Sequence, residues 1–162
     1  MELNEYSQNA FNLLKACRPD LVENITIAHC VNFGGHYFEF EVVSPNPNVK
    51  SNLFFSTEGE RLTVGFDEFH CHFGSFYGCI FVDELKNAME TIDRIRSEEL
   101  IEAVYFQRGR VIATALLKRN DPNKLELGLS DDLRRRCDKV DFISWSGLYD
   151  ATREVRKSGF FK

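Results

Sequence analysis

The densest local group of reactive side chains is the run Gly65-Phe66-Asp67-Glu68-Phe69-His70-Cys71-His72-Phe73. In an extended chain His70 and His72 project to the same side, about 7 Å apart, with Glu68 beside them. Neutral imidazoles so placed can share a metal ion, and Asp67 or Glu68 can add an oxygen ligand. Zinc needs three or four protein ligands in a defined geometry, so two histidines are an incomplete set. His29 and His36 are the only other imidazoles, and nothing in the sequence brings them near. The preferred expectation is therefore structural: His70 and His72 hydrogen-bond to backbone and to Asp67, pinning a strand end, and no metal or other cofactor is bound. A metal-dependent enzyme using Asp67, His70 and His72 is the alternative.

The same run breaks its own alternation. Leu62, Val64 and Phe66 occupy even positions, whereas Phe69, Cys71 and Phe73 occupy odd ones, and a straight strand cannot bury both sets on one face. Either the strand bulges near 65–68, or it ends and re-enters at another angle. The bulge is preferred, because it turns Glu68, His70 and His72 to solvent and avoids burying two imidazoles with a carboxylate. Cys71 faces away from both neighbouring histidines in an extended chain, so no Cys-His nucleophile pair is implied. No dinucleotide, phosphate-loop, GxSxG, SxxK or HExxH pattern occurs. The protein is therefore expected not to be an enzyme.

Elements able to position this run are legible around it. Residues 3–17 carry a helical stripe of Leu3, Tyr6, Ala10, Leu13 or Leu14, and Cys17, which Pro19 interrupts. Ile25–Phe33 and Phe38–Val42 flank Gly34-Gly35 as a hairpin, the second strand keeping Glu39 and Glu41 on a wet face. Ser44-Pro45-Asn46-Pro47-Asn48 is the strongest loop. Leu53–Thr57 and Arg61–Phe66 form a second hairpin around Glu58-Gly59-Glu60. Asp83 caps a helix over about 84–100, with Leu85, Ala88, Met89, Ile92 and Ile95 inward and Glu90 paired with Arg94. Ala103–Gln107 and Arg110–Leu117 form a third hairpin across Arg108-Gly109. Leu125–Leu129 reads as a strand, Asp131–Cys137 as a short helix and Val140–Trp145 as a last strand. The whole predicts one α+β domain over residues 1–162, a largely antiparallel sheet with helices mainly on one face.

Composition narrows the function classes. The 162 residues carry 20 Lys and Arg against 25 Asp and Glu, a net charge of −5. That balance opposes a general nucleic-acid binder, which needs basic surface to replace condensed counterions. Arg134-Arg135-Arg136 fans out around a helical turn and reads as solvated surface. No apolar run reaches the length of a membrane span, the first residues lack a signal-peptide pattern, and five scattered cysteines make no disulfide framework. A cytoplasmic protein is expected. Its 21 aromatic residues also leave open a small-molecule pocket enclosed by a Phe-rich sheet.

Three segments carry a family resemblance: Tyr37-Phe38-Glu39-Phe40-Glu41-Val42, the run from Leu62 to Phe73, and the helix from Asp83. Together they resemble the small bacterial immunity proteins of polymorphic-toxin and contact-dependent inhibition systems. The resemblance spans about residues 37–117, and Ser144-Trp145-Ser146-Gly147 is a later echo. It implies a cytoplasmic protein that binds and neutralises a cognate toxin without catalysing a reaction, the His-x-His motif serving as scaffold. Many toxin domains are basic nucleases, and an acidic inhibitor gains attraction and encounter rate against them. Glu58, Glu60, Asp83, Glu84, Asp131 and Asp132 lie at expected turns and helix starts, where exposure is expected and any could meet a basic partner; Glu58, Glu60, Asp131 and Asp132 are the candidate partner contacts.

Overall fold

Asn4 opens the first helix, its side chain accepting the backbone N–H of Ser7 at 2.8 Å. Helix α1 (Glu5–Cys17) buries Ser7, Ala10 and Leu14 in this computed structural model, which describes residues 2–30, 35–74, 81–119 and 135–155. Cys17 was expected on the inward stripe and is instead exposed, its thiol donating to the Leu13 carbonyl. The buried stripe rotates through Ser7, whose hydroxyl shares a 2.8 Å hydrogen bond with Thr57. Pro19 does end α1, and it also begins α2 (Pro19–Val22), where its missing N–H costs nothing. Between the helices Arg18 forks to Asp20 at 3.0 Å and Asp93 at 2.8 Å.

The first two expected hairpins form. Strand β1 (Ile25–Cys30) pairs antiparallel with β2 (Gly35–Val42), Ile27 opposite Phe38. The Val31 and Phe33 end of the predicted first strand lies outside the described residues. Next, β3 (Leu53–Ser56) and β4 (Leu62–Phe66) pair across a 3-10 turn at Glu58–Glu60. With β5 (Phe69–Phe73) they make a five-stranded sheet ordered β1-β2-β3-β4-β5. Its inner face carries Phe38, Phe40, Leu53, Phe55, Leu62, Val64 and Phe66, all at most 1% exposed. Phe40 stacks on Phe55 at 5.1 Å, and Phe11 meets Phe38 edge-on.

Helix α3 (Phe81–Arg96) starts before Asp83, which therefore sits with Glu84 in the first turn rather than at the cap. Asp83 is exposed as expected, but Glu84 is buried, because it lies four residues before Ala88 on the inward side of the helix. Leu85, Ala88, Met89, Ile92 and Ile95 are buried as the spacing predicts. The helix stops short of 100 because Glu98 takes a left-handed φ of 60°. Arg94 then pairs with Glu99 at 2.9 Å, and Glu90 approaches Lys86 instead.

The chain continues into β6 (Leu100–Gln107), three residues earlier than expected, and β7 (Arg110–Lys118). Arg108 and Gly109, both at positive φ, make the tight turn. Strand β8 (Lys139–Ile143) ends before Trp145, and β9 (Ala151–Glu154) follows it. Their sheet is ordered β7-β6-β8-β9. Its core gathers Ile101, Ala103, Tyr105, Leu117, Cys137, Val140 and Phe142. The expected strand at Leu125–Leu129 and the start of the helix at Asp131 lie outside the described residues.

The class is α+β with antiparallel strand pairing, as predicted, and the strands are shared between two sheets. Two compact units divide the chain: Met1–Val43, Ser51–Phe66 and His70–Asp93 in one, and Ser44–Lys50, Asp67–Phe69 and Arg94–Lys162 in the other. Among the described residues no helix is long and apolar enough to cross a membrane.

Candidate functional site

Alternation along the five-stranded sheet fixes what its outer face displays. With Phe38 and Phe40 turned inward, Tyr37, Glu39 and Glu41 must turn outward. The register sets Thr26 and Ser56 on either side of Glu39, and Phe54 beside Glu41. Further along, Phe54 lies across Gly65, where a Cβ would overlap its ring. Only glycine lets that ring cover the strand.

Glu39 is the half-buried centre of an acidic group on this face. Partial desolvation pushes its carboxyl above the ordinary range, and the charges of Glu41 and Glu58 add to the push. Tyr37 is raised by burial and then by Glu39 and Glu58. A depression of about 320 Å³ opens here, lined by Asn24, Thr26, Glu39, Phe40 and Glu41. Glu41 accepts a long 3.4 Å hydrogen bond from Asn52. Of the residues singled out in the sequence, Glu58 and Glu60 are exposed at the 3-10 turn, Gly59 and Glu60 both left-handed. Asp131 and Asp132 lie outside the described residues. Glu39 and Glu41 were legible only as a wet strand face; cross-strand register and the turn at Glu58 make them a group.

The histidine run is organised differently from the preferred bulge. Strand β4 ends at Phe66, Asp67 takes a left-handed φ of 51°, and the chain re-enters as β5. A reversal restarts the alternation, so Phe66 and Phe69 can both turn from solvent without distorting one strand. Aspartate tolerates the left-handed region, and here its carboxylate accepts the backbone N–H of Lys50. The Lys50 ammonium pairs with Glu68 at 2.5 Å. His70 and His72 are exposed on the outer face, as expected, with ring centroids 5.4 Å apart. His72 Nδ1 lies 2.9 Å from the Thr63 hydroxyl. Partial burial, the Arg61 charge and His70 lower its pKa, in that order.

Asp67 is thus engaged in closing a turn. Among the described residues no three His, Cys, Asp or Glu side chains are placed to hold a metal ion. Burial pushes the Cys71 thiol up to about 11, which keeps it protonated near neutrality and a poor nucleophile. His29 and His36 meet each other as a cross-strand pair of the first hairpin, at 4.9 Å. By alternation they lie on the side opposite His70 and His72.

Two polar features escaped the sequence. Glu102 precedes the Ala103 start expected for the third hairpin, yet it stands inside β6 between Ile101 and Ala103 and is fully buried. Burial, with Asp67 and Glu68 adding repulsion, pushes its carboxyl up to about 9. The backbone N–H groups of Glu68 and Phe69 offset part of this cost. Neither oxygen has a hydrogen bond of normal geometry among the described residues. A lone carboxylate in the run Leu100-Ile101-Glu102-Ala103-Val104 was the available signal.

The second feature joins the loop at Ser44–Asn48 to the Ser144–Asp150 turn. Asn46 Nδ2 donates to the Ser144 carbonyl at 2.8 Å and to Asp150 at 3.0 Å. Asp150 in turn accepts the Ser144 N–H at 2.7 Å. Gly147, at φ 83°, leaves Asn46 the room a Cβ would take. Ser144-Trp145-Ser146-Gly147 is therefore a loop-fastening motif. No family model matches the chain, and no curated protein or solved structure matches it.

Proposed function

We propose that this chain is a protein-binding inhibitor whose acidic sheet face takes a basic protein domain, and that the domain is a bacterial toxin for which this chain is the immunity protein. The observation that carries the reading is the Glu39, Glu41 and Glu58 group. Partial burial and then the charges of Glu41 and Glu58 raise the proton affinity of Glu39, and a cationic partner relieves that repulsion. The depression at Asn24 and Thr26, about 320 Å³, gives a partner's side chains room beside these carboxylates. His70 and His72 extend the same face toward β5 and act there as contacts or scaffold. Binding alone blocks the toxin, and no catalytic group of this chain is required. The encounter belongs in the cytoplasm, where a toxin acting on nucleic acid finds its target.

Co-expression with the toxin domain encoded beside this gene is the test. The wild-type chain should rescue growth and co-elute with the toxin. Glu39→Lys with Glu41→Lys should abolish both while the purified variant keeps the wild-type circular dichroism. Equal killing with and without the wild-type chain, or full rescue by the folded double variant, refutes the reading.

A further inference from the structure

The edges of the two sheets are guarded unequally. Exposed strand edges invite pairing, and proteins blunt them with charged residues or proline. In the four-stranded sheet, edge strand β7 carries Arg110 and Lys118, and edge strand β9 carries Arg153 and Glu154. In the five-stranded sheet, edge strand β1 reads Ile25-Thr26-Ile27-Ala28-His29-Cys30, with no proline and no acidic, lysine or arginine residue. Edge strand β5 is likewise free of them, but its apolar residues are half-buried and its exposed positions are the two histidines. On β1 an aliphatic side chain stands in solvent instead: Ile27 is 46% exposed although its strand partner Phe38 is fully buried. Among the described residues β1 pairs with β2 alone.

We propose that β1 is a homodimer interface, pairing antiparallel with β1 of a second copy about a two-fold axis at Ile27. The strand is complementary to itself. With Ile27 opposite Ile27, Ile25 meets His29 and Thr26 meets Ala28, so inward-facing residues meet inward-facing ones and outward-facing meet outward-facing. A slip of one residue would set the two faces against each other. The strand itself carries no acidic side chain at which two chains of net charge −5 would meet head on. A two-fold β1 pairing closes on itself, whereas β1 against β5 of another copy would propagate without end. The product is a continuous ten-stranded sheet. Three strand spacings and a two-residue stagger set its two Glu39 groups about 16 Å apart.

Sedimentation equilibrium from micromolar to millimolar concentration tests this, in reducing buffer because Cys17 is exposed. The wild-type mass should double with concentration. Ile27→Lys and Ile27→Glu should each be monomeric, with unchanged thermal melting at low concentration, because each sets like charges across the axis. Mixed in equal amounts, the two variants should dimerise again through a Lys–Glu pair at the axis. Leu148→Lys, at a 73% exposed position on another element, should leave the dimer intact. A wild-type chain that stays monomeric, a dimer that persists in either Ile27 variant, or a mixture that does not reassociate overturns the proposal.

Discussion

Glu102 shows how far one side chain can depart from its type. A carboxyl with no exposed surface and repelled by Asp67 and Glu68 favours its neutral form, and the Lys50 ammonium paired with Glu68 only partly compensates. Its proton affinity in the folded chain lies above the ordinary value of 4.5, at about 9. The folded state therefore holds a proton that the unfolded chain releases, and stability falls as pH rises between those values. Glu102→Gln imitates the neutral acid and removes that slope. Urea denaturation should find the variant and the wild type alike near pH 4, and the variant more stable by about 2 to 4 kcal/mol near pH 8. Equal stability of the two proteins at both pH values would mean that Glu102 is ionised without cost. Asp150, unlike Glu102, has hydrogen-bond donors from Ser144 and Asn46 around its side chain. Asp150→Ala strips partners from a buried amide and a backbone N–H, and should lower stability by about 1 to 3 kcal/mol. A melting temperature within error of wild type would show the turn to be held by other contacts.

Elements were legible where the pattern is local. Five inward residues at helical spacing mark α3, and three hairpins declare themselves by alternation around Gly34-Gly35, Glu58-Gly59-Glu60 and Arg108-Gly109. Boundaries failed where the chain departs from a rule without a sequence signal. Phe81 extends α3 ahead of a plausible Asp83 cap, and Glu98 ends it by adopting a left-handed backbone that glutamate rarely takes. Strand β9, Ala-Thr-Arg-Glu, is exposed at every position, so no buried face imposes an alternation. The turn at Asp67 was one of two stated solutions to a parity break, and parity alone does not choose between a bulge and a reversal. The division of strands between two sheets depends on pairings such as β6 with β8, far apart in sequence. The burial of Glu102 depends likewise on tertiary placement, whereas the meeting of His29 with His36 follows from the register of the first hairpin. For α3 the secure assignment has an energetic consequence. Ile92→Ala, at a fully buried position, should cost about 2 to 5 kcal/mol. Val82→Ala on the same helix, 53% exposed, should change stability by less than about 0.5 kcal/mol. Equal losses at the two sites in chemical denaturation would contradict the inward face of this helix.

At the scale of the whole molecule, charge decides how a partner arrives. A chain of net charge −5 attracts a basic domain over roughly a Debye length, about 8 Å at physiological ionic strength. Raising salt should therefore slow association with the proposed basic partner while leaving dissociation nearly unchanged. The outer face adds a local signature. A cationic partner stabilises ionised Glu39 and returns its raised proton affinity toward the ordinary range, so complex formation releases protons. Affinity should then be highest above the carboxylate range and weaken as pH falls through it, and Glu39→Gln should flatten that dependence. The four turn acids singled out in the sequence provide the comparison. Glu58→Lys should weaken binding because Glu58 belongs to the same electrostatic group, whereas Asp131→Lys with Asp132→Lys should act through net charge alone. Stopped-flow association and calorimetry in buffers of different ionisation enthalpy read these effects separately. If Glu39→Gln leaves both the proton release and the pH dependence of affinity intact, the partner binds elsewhere on the molecule. If the Asp131 and Asp132 pair alone alters dissociation, the site lies on that segment and the sheet face is free.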